Sequence, residues 1–309
     1  MNNILKEIRE YINNPRKQYN LLKNKPYWNQ LCSSLDVIGD CDLAISAYEN
    51  TEFNKRDGDK YLKLYGLLQA IFVQQDAVRN LWEALEIGSK FELGAELKRI
   101  RDMRNNSIGH PTKTFSKSYH FISRITIEKS GFKLMSCSNN KTDFIDINIL
   151  EIIKKQKNLL SDKLNIMLEY LKKEEESHKE MFKTKNLEDA FNDMYTYHLS
   201  GVFESILSSE KRPVGNVHLE QVKSILDELK KLLKERGIEI DTYDSIKLLY
   251  DELEYPIKEL DDFFNKKTEQ KKVNDKTAYI FAFFVKGKME ELKSIIEEID
   301  KKYQNDKKQ

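Results

Sequence analysis

The stretch YLKLYGLLQAIFVQQDAVRNLWEAL, residues 61–85, decides how this chain is read. Its residues Tyr61, Leu64, Tyr65, Leu68, Ile71, Phe72, Val78, Leu81, Trp82 and Leu85 recur mostly at steps of three or four. That is the period of one face of an α-helix. So wide an apolar face has to bury against a partner helix or another subunit. The sequence therefore predicts one long amphipathic helix, opened after a turn at residues 54–59 and closed at Gly88.

A second helix is expected at about residues 94–107, ending in Arg101-Asp102-Met103-Arg104-Asn105-Asn106-Ser107-Ile108-Gly109-His110-Pro111. Gly109 is expected to take the left-handed conformation that terminates helices, and Pro111 excludes His110 from the helical region. In an unbroken helix, six steps of ~100° would set Arg104 and His110 about 240° apart. The Gly-His-Pro break is expected to return the imidazole toward Arg104, and the helix C-terminus favours its protonated form. An Arg offers a permanent charge and a two-pronged fork for phosphate, and a His can move a proton. The amide of Asn105 can orient either the ring or a phosphate oxygen. Those groups suit metal-independent cleavage of RNA, in which the 2'-hydroxyl is the nucleophile.

The arrangement resembles the signature of the HEPN superfamily, in which an Arg and a following polar residue precede a His by four to six positions. Here five residues separate Arg104 from His110, and Asn105 is the polar neighbour. The resemblance covers residues 61–112 strongly, the rest of the N-terminal half loosely, and nothing after about residue 185. It implies two long antiparallel helices with the motif at the end of the second. It also implies an endoribonuclease toxin of a prokaryotic defence or toxin-antitoxin system, and a homodimer whose two motifs line one cleft, with the faces around Tyr65, Phe72 and the motif helix near the two-fold axis. Two copies can divide the work of base and acid. The expected catalytic residues are Arg104, Asn105 and His110, with Arg101, Lys113, Gln75 and Asp76 as substrate contacts.

Plainer roles stand beside these. His110 can cap a terminal carbonyl, Arg104 can pair with Asp76 or Asp102, and Gln75 and Asp76 can lie either in the cleft or on an exposed helix surface. A non-catalytic helical module that binds RNA, a nucleotide or a protein partner is the alternative function. Silencing by nucleotidyl transfer, with Tyr119 as acceptor, is a third reading, although the family's usual acceptor motif after the His is missing.

Composition narrows the classes. The chain has 309 residues, 33% charged and 10% aromatic, which fits folded and well-solvated helices, with disorder expected only at residues 301–309. A net charge of +1 gives no global pull on nucleic acid, so RNA contact requires a local patch such as Lys98, Arg99, Arg101, Arg104 and Lys113. Cys32, Cys41 and Cys137 lack disulfide or metal spacing, and the five His are scattered, so neither a metal nor a cofactor is expected. With no apolar leader and no run of about 18 apolar residues, the chain reads as cytoplasmic and off the membrane.

The remaining segments complete a mainly α fold. The first 50 residues read as short helices broken at Pro15, Pro26 and around Gly39. Alternation in Tyr119, Phe121, Ile125 and Ile127, then Phe132 and Leu134, then Phe144, Ile145, Ile147 and Ile149, predicts a small antiparallel β-meander at 119–149. A long helix follows at about 150–181. The expected organisation is an HEPN-like helical domain at 1–184 with the β insertion, then a C-terminal α-helical bundle at 185–309. In that bundle Val222, Ile225, Leu226, Leu229, Leu232 and Leu233 form a stripe closed by Gly237, and helices at about 250–264 and 279–299 follow. The bundle carries no chemical motif, which suits it to a protein partner or antitoxin.

Overall fold

The computed structural model describes residues 1–53, 56–109, 111–112, 118–138, 141–265 and 273–304. His110 and Lys113 lie outside the described residues. Helix α1 (Asn2–Ile12) is followed by α2 (Pro15–Leu22) and α3 (Lys25–Asn50). Pro15 opens α2 and Pro26 sits in the first turn of α3, where a missing N–H costs nothing. These prolines start helices, as a break there requires. No break occurs at Gly39. A helical glycine costs about 1 kcal/mol relative to alanine, and the burial of Leu31, Leu35, Ile38 and Ile45 along α3 outweighs it.

The predicted central helix is α4 (Asp57–Ala84), with Asp57 and Asp59 placed in its first turn where the helix dipole favours them. It packs chiefly on α3, burying Leu64, Leu67, Leu68, Ile71, Val78 and Leu81. Gln74 and Gln75 are also fully buried, and a polar group in such a place needs partners. Gln156 supplies them. It donates to the Ile71 carbonyl at 2.8 Å and to Gln74 Oε1 at 3.1 Å, and accepts from Gln75 Nε2 at 2.7 Å.

Helix α5 (Ala95–Arg104) runs on into a π-helical turn, Asn105–Gly109. Three antiparallel strands come next in the order β1 (Tyr119–Ile122), β2 (Gly131–Ser138), β3 (Lys141–Asn148). The first strand is shorter than expected. After Ile122 the chain turns through a short 3-10 segment, Arg124–Thr126, and Ile127 drops into the core. In register, Phe121 faces Met135, which faces Phe144.

Helix α6 (Ile149–Phe182) follows. Beyond it lie α7 (Tyr195–Leu207), α8 (Arg212–Glu235), α9 (Asp244–Asn265) and α10 (Asp275–Gln304). The stripe Leu219, Val222, Ile225, Leu226, Leu229 and Leu233 is buried along α8. Gly237, at φ +73°, ends that helix, and the bond from Ile238 N–H to the Leu233 carbonyl at 2.9 Å completes the cap.

By their contacts the residues group into two compact units: Met1–Asn14 with Asn20–Lys173, and Pro15–Tyr19 with Glu174–Gln309. The division falls inside α6, whereas the sequence places its boundary at 184 and 185. The first unit has its own apolar core, from Leu5 to Leu171, and the second has another, from Leu187 to Ile299. Among the described residues no helix is long and apolar enough to cross a membrane.

Candidate functional site

Gln69, Phe72 and Asp76 stand three and seven residues apart on α4, which puts them on one face. Arg101 and Arg104 stand three apart on α5, with Asn105 next in line at the start of the π-helical turn. The two faces meet. The guanidinium carbons of Arg101 and Arg104 lie 3.9 and 4.3 Å from the centroid of the Phe72 ring. Cation-π attraction of this kind holds a charge in place without neutralising it.

The two arginines differ in what holds them. Arg101 Nη1 donates to Asp76 Oδ1 at 3.0 Å, and the same carboxylate oxygen accepts from Arg79 at 3.2 Å. Arg104 is held by neutral oxygens: Nη1 donates to Asn105 Oδ1 at 3.0 Å, and Nη2 donates to Gln69 Oε1. Among the described residues Arg104 makes no ion pair, so Asp76 and Asp102 do not fill the plainer role that the sequence leaves open for them. Its Nε is buried and has no hydrogen-bond partner among those residues. Burial and the neighbouring Arg101 lower its pKa, with Asp76 opposing them. A guanidinium remains charged at neutral pH all the same.

Gly109 plays a part other than the one expected. It does not adopt a positive φ; it is the last residue of the π-helical turn. Its lack of a side chain matters for a different reason, since a Cβ would sit 2.7 Å from Arg104 Nη1 and 3.1 Å from Asn105 Oδ1 and would push the guanidinium from its place. The helix ends by widening into a π turn, a feature common at functional sites. Ser107 supports the turn from the buried side, its hydroxyl donating to the Met103 carbonyl at 2.7 Å. On the far side of the motif the His120 N–H donates to the Pro111 carbonyl at 2.8 Å, tying that end to β1.

Of the residues expected from sequence, the fold brings together Arg101, Arg104, Asn105 and Asp76. Gln75 is not among them; it lies fully buried in the glutamine ladder with Gln156, neither in a cleft nor on the surface, and its Oε1 has no partner among the described residues. Asp76 serves as the counter-ion of Arg101 and Arg79. Asn105 orients Arg104 through its oxygen. Gln69 was missed as a site residue, though its place one turn before Phe72 on a helix of known period marks it as a neighbour. Among the described residues no three His, Cys, Asp or Glu side chains gather as a metal site. No protein-family model matches the chain, nor does any curated protein or any solved structure.

Proposed function

We propose that the chain is a metal-independent endoribonuclease in which Arg104 binds the scissile phosphate and His110 transfers the proton, acting in antiphage defence or as a toxin. The observation that carries this reading is the state of Arg104. It is a part-buried cation oriented by two neutral amides and an aromatic ring, and among the described residues no carboxylate pairs with it directly. A phosphate is the group such a fork completes.

In the reaction the substrate's 2'-oxygen bonds to phosphorus while the bond to the 5'-oxygen breaks. An imidazole takes the 2'-proton and another returns one to the leaving oxygen, and Arg104 stabilises the charge that builds on phosphorus. Two imidazoles require two copies of the motif. Leu62, Tyr65 and Gln69 form an exposed stripe on α4 leading to the guanidinium patch, and Gly66 stands in open space among them. A second copy pairing through this face sets two motifs beside one twofold axis.

Purified protein incubated with RNA in EDTA tests the reading. Cleavage to products ending in a 2',3'-cyclic phosphate, or the 3'-phosphate derived from it, is the expected result. Activity that disappears with EDTA and returns with magnesium or manganese contradicts the mechanism. RNA bound but left intact points to the non-catalytic module.

A further inference from the structure

Strand β3 is exposed on both faces along most of its length. Phe144 is 63% exposed and Ile145, on the opposite face, is 45% exposed. The hydrogen-bonding direction of each residue follows from the register. Lys133 gives its carbonyl to Ser123, so Lys133 and Met135 turn their peptide groups toward the β1 side, and Phe132, Leu134 and Ser136 turn theirs toward β3. Asp143, Ile145 and Ile147 therefore bond to β2. Thr142, Phe144 and Asp146 point their N–H and C=O groups outward, and among the described residues no strand pairs with that edge. No proline interrupts it. Such an edge is a template for another strand.

We propose that β3 adds antiparallel to β3 of a second copy, forming a continuous six-stranded sheet with Phe144 opposite Phe144 of that copy. The occupant follows from self-complementarity. A ladder joins outward-pointing residues to outward-pointing residues, so only registers that pair even-numbered with even-numbered positions are open. Centring on Asp143 sets two carboxylates against each other, which destabilises. Centring on Ile145 opposes no like charges but sets Phe144 against Asp146, which breaks the row that Phe144 shares with Met135 and Phe121. Centring on Phe144 pairs Thr142 with Asp146, Asp143 with Ile145 and Lys141 with Ile147, leaving no like charges opposed. In that register the row of exposed Phe121, half-buried Met135 and exposed Phe144 continues into Phe144, Met135 and Phe121 of the second copy. The charge on Asp146 is already met within the chain by Lys133, 3.6 Å away.

This pairing is independent of the ribonuclease reading and of the α4 face. Phe144→Pro removes an outward N–H while the bonds to β2, made by Asp143, Ile145 and Ile147, stay in place. In the full-length protein, light scattering is expected to show the particle mass at least halved by this substitution, with circular dichroism unchanged. A wild-type monomer, or equal masses, overturns the proposal. If Phe144→Pro fails to fold, disulfide trapping decides: with Cys32 and Cys137 replaced by Ser, Phe144→Cys is expected to crosslink on mild oxidation and Ile145→Cys is not. No crosslink from Phe144→Cys, or one from Ile145→Cys alone, overturns it. Tyr65→Asp, on the α4 face, tests the other pairing separately.

Discussion

Two arginines, one in each unit, show how the same side chain serves opposite ends. Arg236 in the second unit is buried, donates to Asp300 Oδ1 at 2.6 Å and to the Lys185 carbonyl, and stacks over Tyr303 at 4.4 Å. The other oxygen of Asp300 accepts from the Glu188 N–H at 2.9 Å, so this one carboxylate joins three parts of the chain. All the charge of Arg236 is spent on the fold. Arg104 also lies on an aromatic ring and also makes two side-chain hydrogen bonds, but both acceptors are neutral. On the proposed reading, what separates the structural guanidinium from the one kept for a ligand is the charge of its acceptors, more than its burial or its stacking.

The contrast is broken most forcefully by truncation. Arg236→Ala strands the buried Asp300 and is expected to cost about 3–5 kcal/mol in urea unfolding. Arg104→Ala is expected to cost under about 1 kcal/mol, because Gln69 and Asn105 regain water. Equal losses at the two positions end the distinction. Gly109→Ala sharpens it. The added methyl displaces the flexible guanidinium at little cost in stability, while misplacing the fork that we propose binds phosphate is expected to slow cleavage about 10²-fold. Wild-type kinetics in a folded Gly109→Ala protein show that the fork need not sit where it is found.

A smaller effect is expected in the apolar core of the first unit, where polar groups are again consumed by structure. Gln156→Leu strips the partner from Gln74 Oε1 and from Gln75 Nε2, at about 1–3 kcal/mol in unfolding free energy. A stability equal to wild type would mean that water already serves these amides. The smallest effect is that of pH. Burial lowers the pKa of His120 and His178, and burial with the His218 ring, its Nδ1 3.2 Å away, lowers that of His198. The unfolded chain then binds more protons than the folded one as pH falls below the ordinary histidine value of 6.5. The thermal midpoint is expected to drop between about pH 7 and about pH 5 on this account. A midpoint that rises over that interval contradicts the sign.

Periodicity made the helices legible. The apolar repeats of α4, α8 and α10 and the strand alternation near residues 119–149 follow directly from side chains meeting one core. The fate of Gly39 was not legible, because local propensity favoured a break and only the burial of Leu31, Leu35, Ile38 and Ile45 overrides it. Nor was the role of Gly109, since a glycine needed for close approach reads in sequence like one needed for a turn. Gln75 and Asp76 look alike in the sequence. One step along a helix turns them by about 100°, which is enough to send one into the core and the other to Arg101. Gln69, Phe72, Arg101 and Arg104 gather because two helices cross, which no spacing within either helix contains.

Cleavage of RNA in EDTA by Arg104→Ala and Arg104→Lys, beside the wild type and with thermal unfolding recorded on the same samples, tests the central claim most directly. If Arg104 is an open cation kept for a phosphate, Ala abolishes cleavage, Lys is severely impaired for lack of the two-pronged fork, and all three unfold at nearly the same temperature. Wild-type cleavage by Arg104→Ala, or a loss of activity matched by a collapsed unfolding transition, contradicts it.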